Sequence, residues 1–198
     1  AEVDEKLEAV RKICLEHGHE VENTLPKVLY GDSFFPMTTA IGPQGERWAP
    51  VHGVVPMGDA PGAIAKIEGL FASNVEEMER LGVVIGILLS TVGTNGFVIE
   101  PVFYWPGPQT LYYKRVLEPA YLDKLKKFEH SPDAEALVAE IRTKLIAIFQ
   151  ELGAAHLQVG KTYPYRQGRN PNTWNLLDAI KTAVDPKRLV NPKSLGLD

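Results

Sequence analysis

At 198 residues, 44% hydrophobic and 23% charged, the chain is long enough to bury a core of its own and is too apolar for a disordered segment to be the default. A net charge of −4 argues against nucleic acid as its partner, because phosphate contacts need clustered Lys and Arg. The single cysteine, Cys14, excludes an internal disulfide and no apolar run reaches the length of a membrane span, so the expectation is a cytoplasmic protein with no membrane partner.

In chain order, Glu2 to His17 places Val3, Leu7, Val10, Cys14 and His17 on one helical stripe, with Gly18 as its stop and Cys14 expected on the buried side. Residues 19–47 are punctuated by Pro26, Gly31, Pro36, Gly42, Pro43 and Gly45 and read as an ordered connection, with short extended pieces around Val28 to Tyr30. Trp48 to Val55 reads as a strand. Asp59 then stands as the N-cap of a helix with Pro61 in its first turn, whose apolar stripe is Ile64, Ile67, Phe71, Val75 and Met78 and whose end is Gly82. Gly82 to Val92 is rich in branched residues and reads as a strand. Gly93, Asn95 and Gly96 are expected to supply the positive φ of a hairpin, and Phe97 to Trp105 the return strand.

An aromatic, proline-bearing excursion follows to His130. Ser131 and Pro132 open a helix striped by Leu137, Ile141, Leu145, Ile148 and Leu152 and ended by Gly153. Ala155 to Gly160 reads as the last strand, and a further helix carries Trp174, Leu177, Ile180 and Val184 on its apolar side. The order β-α-β-β-α-β predicts the α+β class: a ferredoxin-like antiparallel sheet with helices on one face, plus a C-terminal helix and tail. The division expected is 1–47 as helix and connecting segment and 48–198 as the domain.

Strand alternation assigns the faces of that sheet. Leu157 and Val159 are expected to point to the helices, leaving His156 and Gln158 opposite; Phe97, Ile99 and Phe103 leave Glu100 and Tyr104 opposite, where Ser90 and His52 join them. Singly, each of these is what any solvent-facing strand carries, and a lone histidine among apolar neighbours is ordinarily a hydrogen-bonded core residue. Together, beside an aromatic loop, they outline a pocket wall. The chain has no GxGxxG, P-loop, HExxH, cysteine pair or GxSxG, so it neither cradles a nucleotide phosphate in a glycine-rich turn nor offers a metal site.

Two segments carry a resemblance. The ending AVDPKRLVNPKSLG, Ala183 to Gly196, and the segment GAAHLQVGK, Gly153 to Lys161, are similar to the close and the last sheet strand of the C-terminal (substrate or cap) domain of FAD-linked oxidases. These form the vanillyl-alcohol oxidase and p-cresol methylhydroxylase superfamily, with D-lactate dehydrogenase and glycolate oxidase flavoprotein relatives, and the likeness runs from about Trp48 to the end. The resemblance implies an FAD held mainly by an FAD-binding domain of the same polypeptide, absent from this chain, with the sheet lying over the flavin. It implies oxidation of a C–OH or benzylic group of a small organic acid, alcohol or phenol by hydride transfer. In that reading His156 or His52 takes the substrate proton, Gln158, Glu100 and Tyr104 position the substrate, and Tyr163, Tyr165 and Arg166 line the rim or bind an anionic group. Asn191 and Lys193 approach the flavin edge. The histidine-rich stretches with which the hydroxy-acid branch holds a metal have no counterpart in TNGFVIEPVFYW or AAHLQVGK, so no metal is expected. The alternative is a non-catalytic ferredoxin-like ligand-binding or dimerisation module, and a homo-oligomer is compatible with either.

Overall fold

A computed structural model describes residues 2–31, 38, 41–158 and 160–197, with the side chains at 25, 26, 28 and 29 left aside. It divides into two compact units, 1–39 and 40–198. The first holds α1 (Glu2–His17) and α2 (Thr24–Gly31). Acidic Glu2, Asp4 and Glu5 in the first turn and His17 in the last complement the helix dipole of α1. The expected stripe forms, yet no residue of α1 is buried and Cys14 is exposed, which corrects its assignment to a core. Helical spacing specifies a stripe but not a partner to cover it. A helix over Thr24–Gly31 likewise replaces the extended pieces expected around Val28 to Tyr30; Pro26 sits in its first turn, where a missing N–H is tolerated.

The second unit contains β1 (Arg47–Pro50), β2 (Gly53–Pro56), α3 (Ala60–Ala72), α4 (Val75–Leu81), β3 (Val84–Val92), β4 (Gly96–Trp105), α5 (Leu111–Val116), α6 (Pro119–Leu122), α7 (Pro132–Glu151) and α8 (Pro171–Val184). Central β4 pairs antiparallel with β3 on one side and with β1 and β2, end to end, on the other. Beyond β2, Ala155 forms a single antiparallel bridge to Val54. The spatial order is therefore last, first, third, second, the ferredoxin-like arrangement expected, and the class is α+β.

One proline accounts for the break in the first strand. The register runs unchanged from Pro50↔Val102 to Gly53↔Ile99, and Val51 N–H donates to the Pro101 carbonyl at 2.9 Å. Pro101 has no N–H to return, so the ladder opens at Val51 and His52. The last strand shrinks more severely: among its described residues Ala155 alone is paired, Leu157 is 65% exposed instead of facing the helices, and Val159 lies outside the described residues.

Helices α3, α4 and α7 supply the core with Val51, Val55, Ile99 and Phe103 of the sheet side. On α7 the buried line is Ala134, Val138, Ile141, Leu145 and Phe149; of the expected stripe, Leu137, Ile148 and Leu152 fall to its flanks. The single helix expected from Asp59 to Gly82 is two, because the Ser73 hydroxyl and Asn74 amide both donate to the Leu70 carbonyl and end α3 there. Asp59 makes no side-chain cap. Gly82 and Gly153, at φ 66° and 64°, close α4 and α7 as expected, but in the hairpin only Gly93 has positive φ, not Asn95 or Gly96. The excursion after Trp105 folds into α5 and α6; Tyr113 of the first, Leu122 of the second and Leu117 between them pack with Ile41. That contact draws the boundary of the unit back from 48 to 40.

On α8 only Trp174 is buried; Ile180 and Val184 are exposed, so most of that expected stripe is uncovered. Beyond it the Asp185 carboxylate is bonded by Lys181 Nζ and by the N–H groups of Leu189 and Val190, an anchor that lowers its pKa to about 2, chiefly through Lys181. The tail then returns to the body of the unit, where Leu195 N–H meets the Gly160 carbonyl at 2.7 Å and Leu197 is buried.

A Cβ at Gly53 would overlap the Phe149 ring, whereas one at Gly58 meets nothing within 4 Å. Gly53→Ala is expected to cost about 1–3 kcal/mol in urea unfolding, through overpacking of the sheet against α7. Gly58→Ala serves as the control and should leave the midpoint nearly unmoved; equal effects would remove the close approach as the cause.

Candidate functional site

The gap that Pro101 leaves in the ladder is filled by side chains. The register set by Val54↔Ala155 would bring Leu157 opposite His52, yet the backbone groups of His52 are taken otherwise. His52 N–H donates to Tyr163 Oη at 2.9 Å, and the His52 carbonyl accepts from His156 Nδ1 at 2.8 Å. Leu157 N–H turns instead to the imidazole, donating to His52 Nε2 at 2.7 Å, with Gln158 N–H more distant at 3.4 Å.

These partners define the tautomers. His52 Nε2 accepts a backbone N–H and carries no proton, so the ring proton is on Nδ1 and is donated to Tyr163 Oη at 2.9 Å. A carbonyl can only accept, so His156 carries its proton on Nδ1 and its Nε2 has no partner among the described residues. The three rings form one cluster: His156 stacks on Tyr163 with centroids 4.1 Å apart, and His52 tilts against Tyr163 at 4.9 Å. His52 is 2% exposed, and burial, followed by the neighbouring His156, lowers its pKa. Burial raises the Tyr163 phenol. Arg142 of α7 is close enough to act on Tyr163; burial lowers its pKa, and its Nε is buried without a hydrogen-bond partner among the described residues.

Outside this cluster lies a cavity of about 430 Å³ whose walls include His156, Gln158, Tyr163, Tyr165 and Arg169. Of the residues singled out from the sequence, the fold brings His156, Gln158, Tyr163 and Tyr165 to that cavity. His52 is behind it, joined through hydrogen bonds. Glu100 and Tyr104 lie half-buried on the face of β4 shared with His52, since the register sets His52 opposite Glu100, but they do not line the cavity. Arg166 also lies off its wall, with its guanidinium 5.2 Å from the Trp174 ring centre. Asn191 and Lys193 are exposed on the tail, both with left-handed backbone, at φ 45° and 66°. Sequence reading missed Arg169, held 4.2 Å from the Tyr165 ring centre, and Gln150, which α7 contributes to the wall. The signal for Arg169 was in the chain, as a cation in a stretch without acidic residues. Among the described residues there is no cluster fit to hold a metal, and no helix is long and apolar enough to cross a membrane.

No family model, curated protein or solved structure matches this chain.

Two measurements test the cluster. Tyr163→Phe strands the two His52 donors in a buried place and is expected to cost about 1–3 kcal/mol in denaturant unfolding. The lowered pKa of His52 means that the unfolded chain binds its proton more readily, so the stability from His52 is complete above about pH 6.5 and is lost as pH falls below that value. The melting temperature should therefore drop between about pH 7.5 and 5.5, with a shallower slope in His52→Gln. A slope unaltered by the substitution would show that His52 does not carry the effect.

Proposed function

We propose that this chain is the substrate-binding part of an FAD-dependent oxidoreductase acting on a C–OH or benzylic group of a small organic molecule, with His156 Nε2 as the proton acceptor. The observation that carries the reading is the unpartnered Nε2 of an imidazole whose other nitrogen is fixed to the His52 carbonyl, in the wall of an open cavity. A fixed Nδ1–H and a free Nε2 are what a general base near neutral pH requires. His52, with both ring nitrogens engaged, is a positioning residue in this reading: it holds Tyr163, and Tyr163 holds the face of His156.

The residues fit one side of a flavin site. They offer a base, amide groups and aromatic surface around a cavity, and no phosphate cradle, consistent with FAD held by a companion domain. The exposed Val84, Leu88 and Val92 of β3, on the sheet face away from the helices, support such a companion. When bound, flavin would supply the two-electron acceptor. The substrate would lose its O–H or equivalent proton to His156 Nε2 as its hydride departs. Gln158 would orient the polar end and Tyr165 flank the body, while Asn191 and Lys193 would meet the flavin edge from the tail. An uncharged, exposed edge strand is also what a non-catalytic dimerisation module would carry, and that remains the second reading.

The test joins the chain to an FAD-binding domain and follows flavin bleaching by a substrate. His156→Asn keeps a donor near the Nδ1 position and removes Nε2, so flavin reduction is expected to slow by roughly 10²–10⁴-fold with folding retained. An unchanged rate in a folded variant would take His156 out of the mechanism. Failure of the joined wild type to bind FAD would favour the module.

A further inference from the structure

We propose that the cavity beside His156 is a carboxylate site in which Arg169 receives the anionic end of the ligand. This narrows the substrate of the reading above to organic acids and rests on that reading only for its link to catalysis. The first observation is one of charge distribution. The chain carries 25 acidic against 21 basic side chains, but from Gly153 to Leu177 it has Lys161, Arg166 and Arg169 and no Asp or Glu. Every loop residue that builds the cavity comes from this stretch, and Gln150 of α7 adds no charge. The lining thus holds one guanidinium, one histidine and no carboxylate, inside a protein that is acidic as a whole.

The second observation is the state of that guanidinium. Arg169 makes no ion pair among the described residues; its Cζ instead lies over the Tyr165 ring, 4.2 Å from the centre. A ring is not a hydrogen-bond acceptor of the usual kind, so among the described residues no carboxylate or carbonyl occupies the guanidinium N–H groups, which can pair with a planar, bidentate acceptor. A ring face also limits the rotamers that a free arginine would otherwise sample, which lowers the entropy lost on binding. Arg166, by contrast, lies over Trp174 off the cavity wall, and Lys161 lines a separate cavity against α7.

The third observation is the character of the walls. Ala154, Ala155, Tyr163, Pro164 and Tyr165 give apolar and flat surface, and a volume of about 430 Å³ falls within the range of pockets that take small organic ligands. A tetrahedral dianion such as phosphate would find one arginine and no lysine, beside apolar surface that it cannot use. A monocarboxylate with an apolar or aromatic body matches both parts.

The experiment uses the 198-residue chain without flavin, titrated with benzoate, with benzamide as its neutral isostere and with inorganic phosphate, by calorimetry or ligand-observed NMR. Benzoate is expected to bind at least about tenfold more tightly than benzamide, as a charge-assisted pair to arginine requires, and phosphate more weakly than benzoate. Arg169→Gln should abolish that preference, while Lys161→Gln, the same charge change outside this cavity, should alter benzoate binding by less than about twofold. Equal binding of benzoate and benzamide, a preference that survives Arg169→Gln, an equal loss in Lys161→Gln, tighter binding of phosphate, or no benzoate binding at all would each overturn the proposal. Benzoate binding is read without any electron transfer. Intact carboxylate binding with no flavin chemistry in the joined protein would therefore sink the oxidoreductase reading alone, and the reverse result would sink only the carboxylate site.

Discussion

The hydrogen bonds around His52 are the constraint on which the site depends. A ferredoxin-like sheet would normally complete its edge with a full last strand, each buried N–H and C=O meeting a backbone partner. Here the edge is completed by side chains: a phenol and an imidazole satisfy the backbone of His52, and the imidazole of His52 satisfies the chain opposite it. The exchange works because a neutral imidazole is a donor at one nitrogen and an acceptor at the other, and so can bridge a phenol and a peptide N–H. Lysine or arginine has no acceptor, and an ionised carboxylate no donor. Burial reinforces the choice by favouring the neutral ring, the only form with a free lone pair for Leu157.

Much of the architecture was legible because it rests on periodicity. The β-α-β-β-α order up to the last strand, the glycine stops at Gly82 and Gly153 and the shared face of His52 and Glu100 all follow from spacing along the chain, and the structure has them. The misreadings are of another kind. Ala155 to Gly160 alternates like a strand, but alternation cannot say whether a segment's backbone partners will be another backbone or side chains from elsewhere in the chain, and Tyr163 lies 111 residues from the histidine it caps. Val3, Leu7, Val10 and Cys14 form a stripe in sequence and in structure, yet nothing in the spacing tells whether a surface exists to cover it. The same applies to Ile180 and Val184 on α8.

The site was legible in part for the same reason. His156, Gln158, Tyr163 and Tyr165 stand close together in sequence, and one loop brings them to one cavity. Glu100 and Tyr104 share a sheet face with His52, but a common face spans several residues of width, and the loop that forms the cavity stops short of them. Tyr163 shows how a role changes with burial: from an exposed rim residue it becomes the link between two histidines, with both N–H donors of His52 directed at its oxygen.

The tail connects this cluster to the end of the chain. Arg188, Asn191, Lys193 and Leu195 all have positive φ, a conformation that non-glycine residues adopt at an energetic cost of order 1 kcal/mol each. Such a run persists only where other contacts fix both of its ends. At one end Asp185 is bound by Lys181 and two peptide N–H groups; at the other Leu195 N–H bonds the Gly160 carbonyl and Leu197 is buried. Gly160 lines the cavity, so the tail is not an appendage to the loop that carries His156 and Tyr163 but one of its supports. The Asp-Pro and Asn-Pro segments thus act on the cavity through the backbone they hold, whatever their side chains touch.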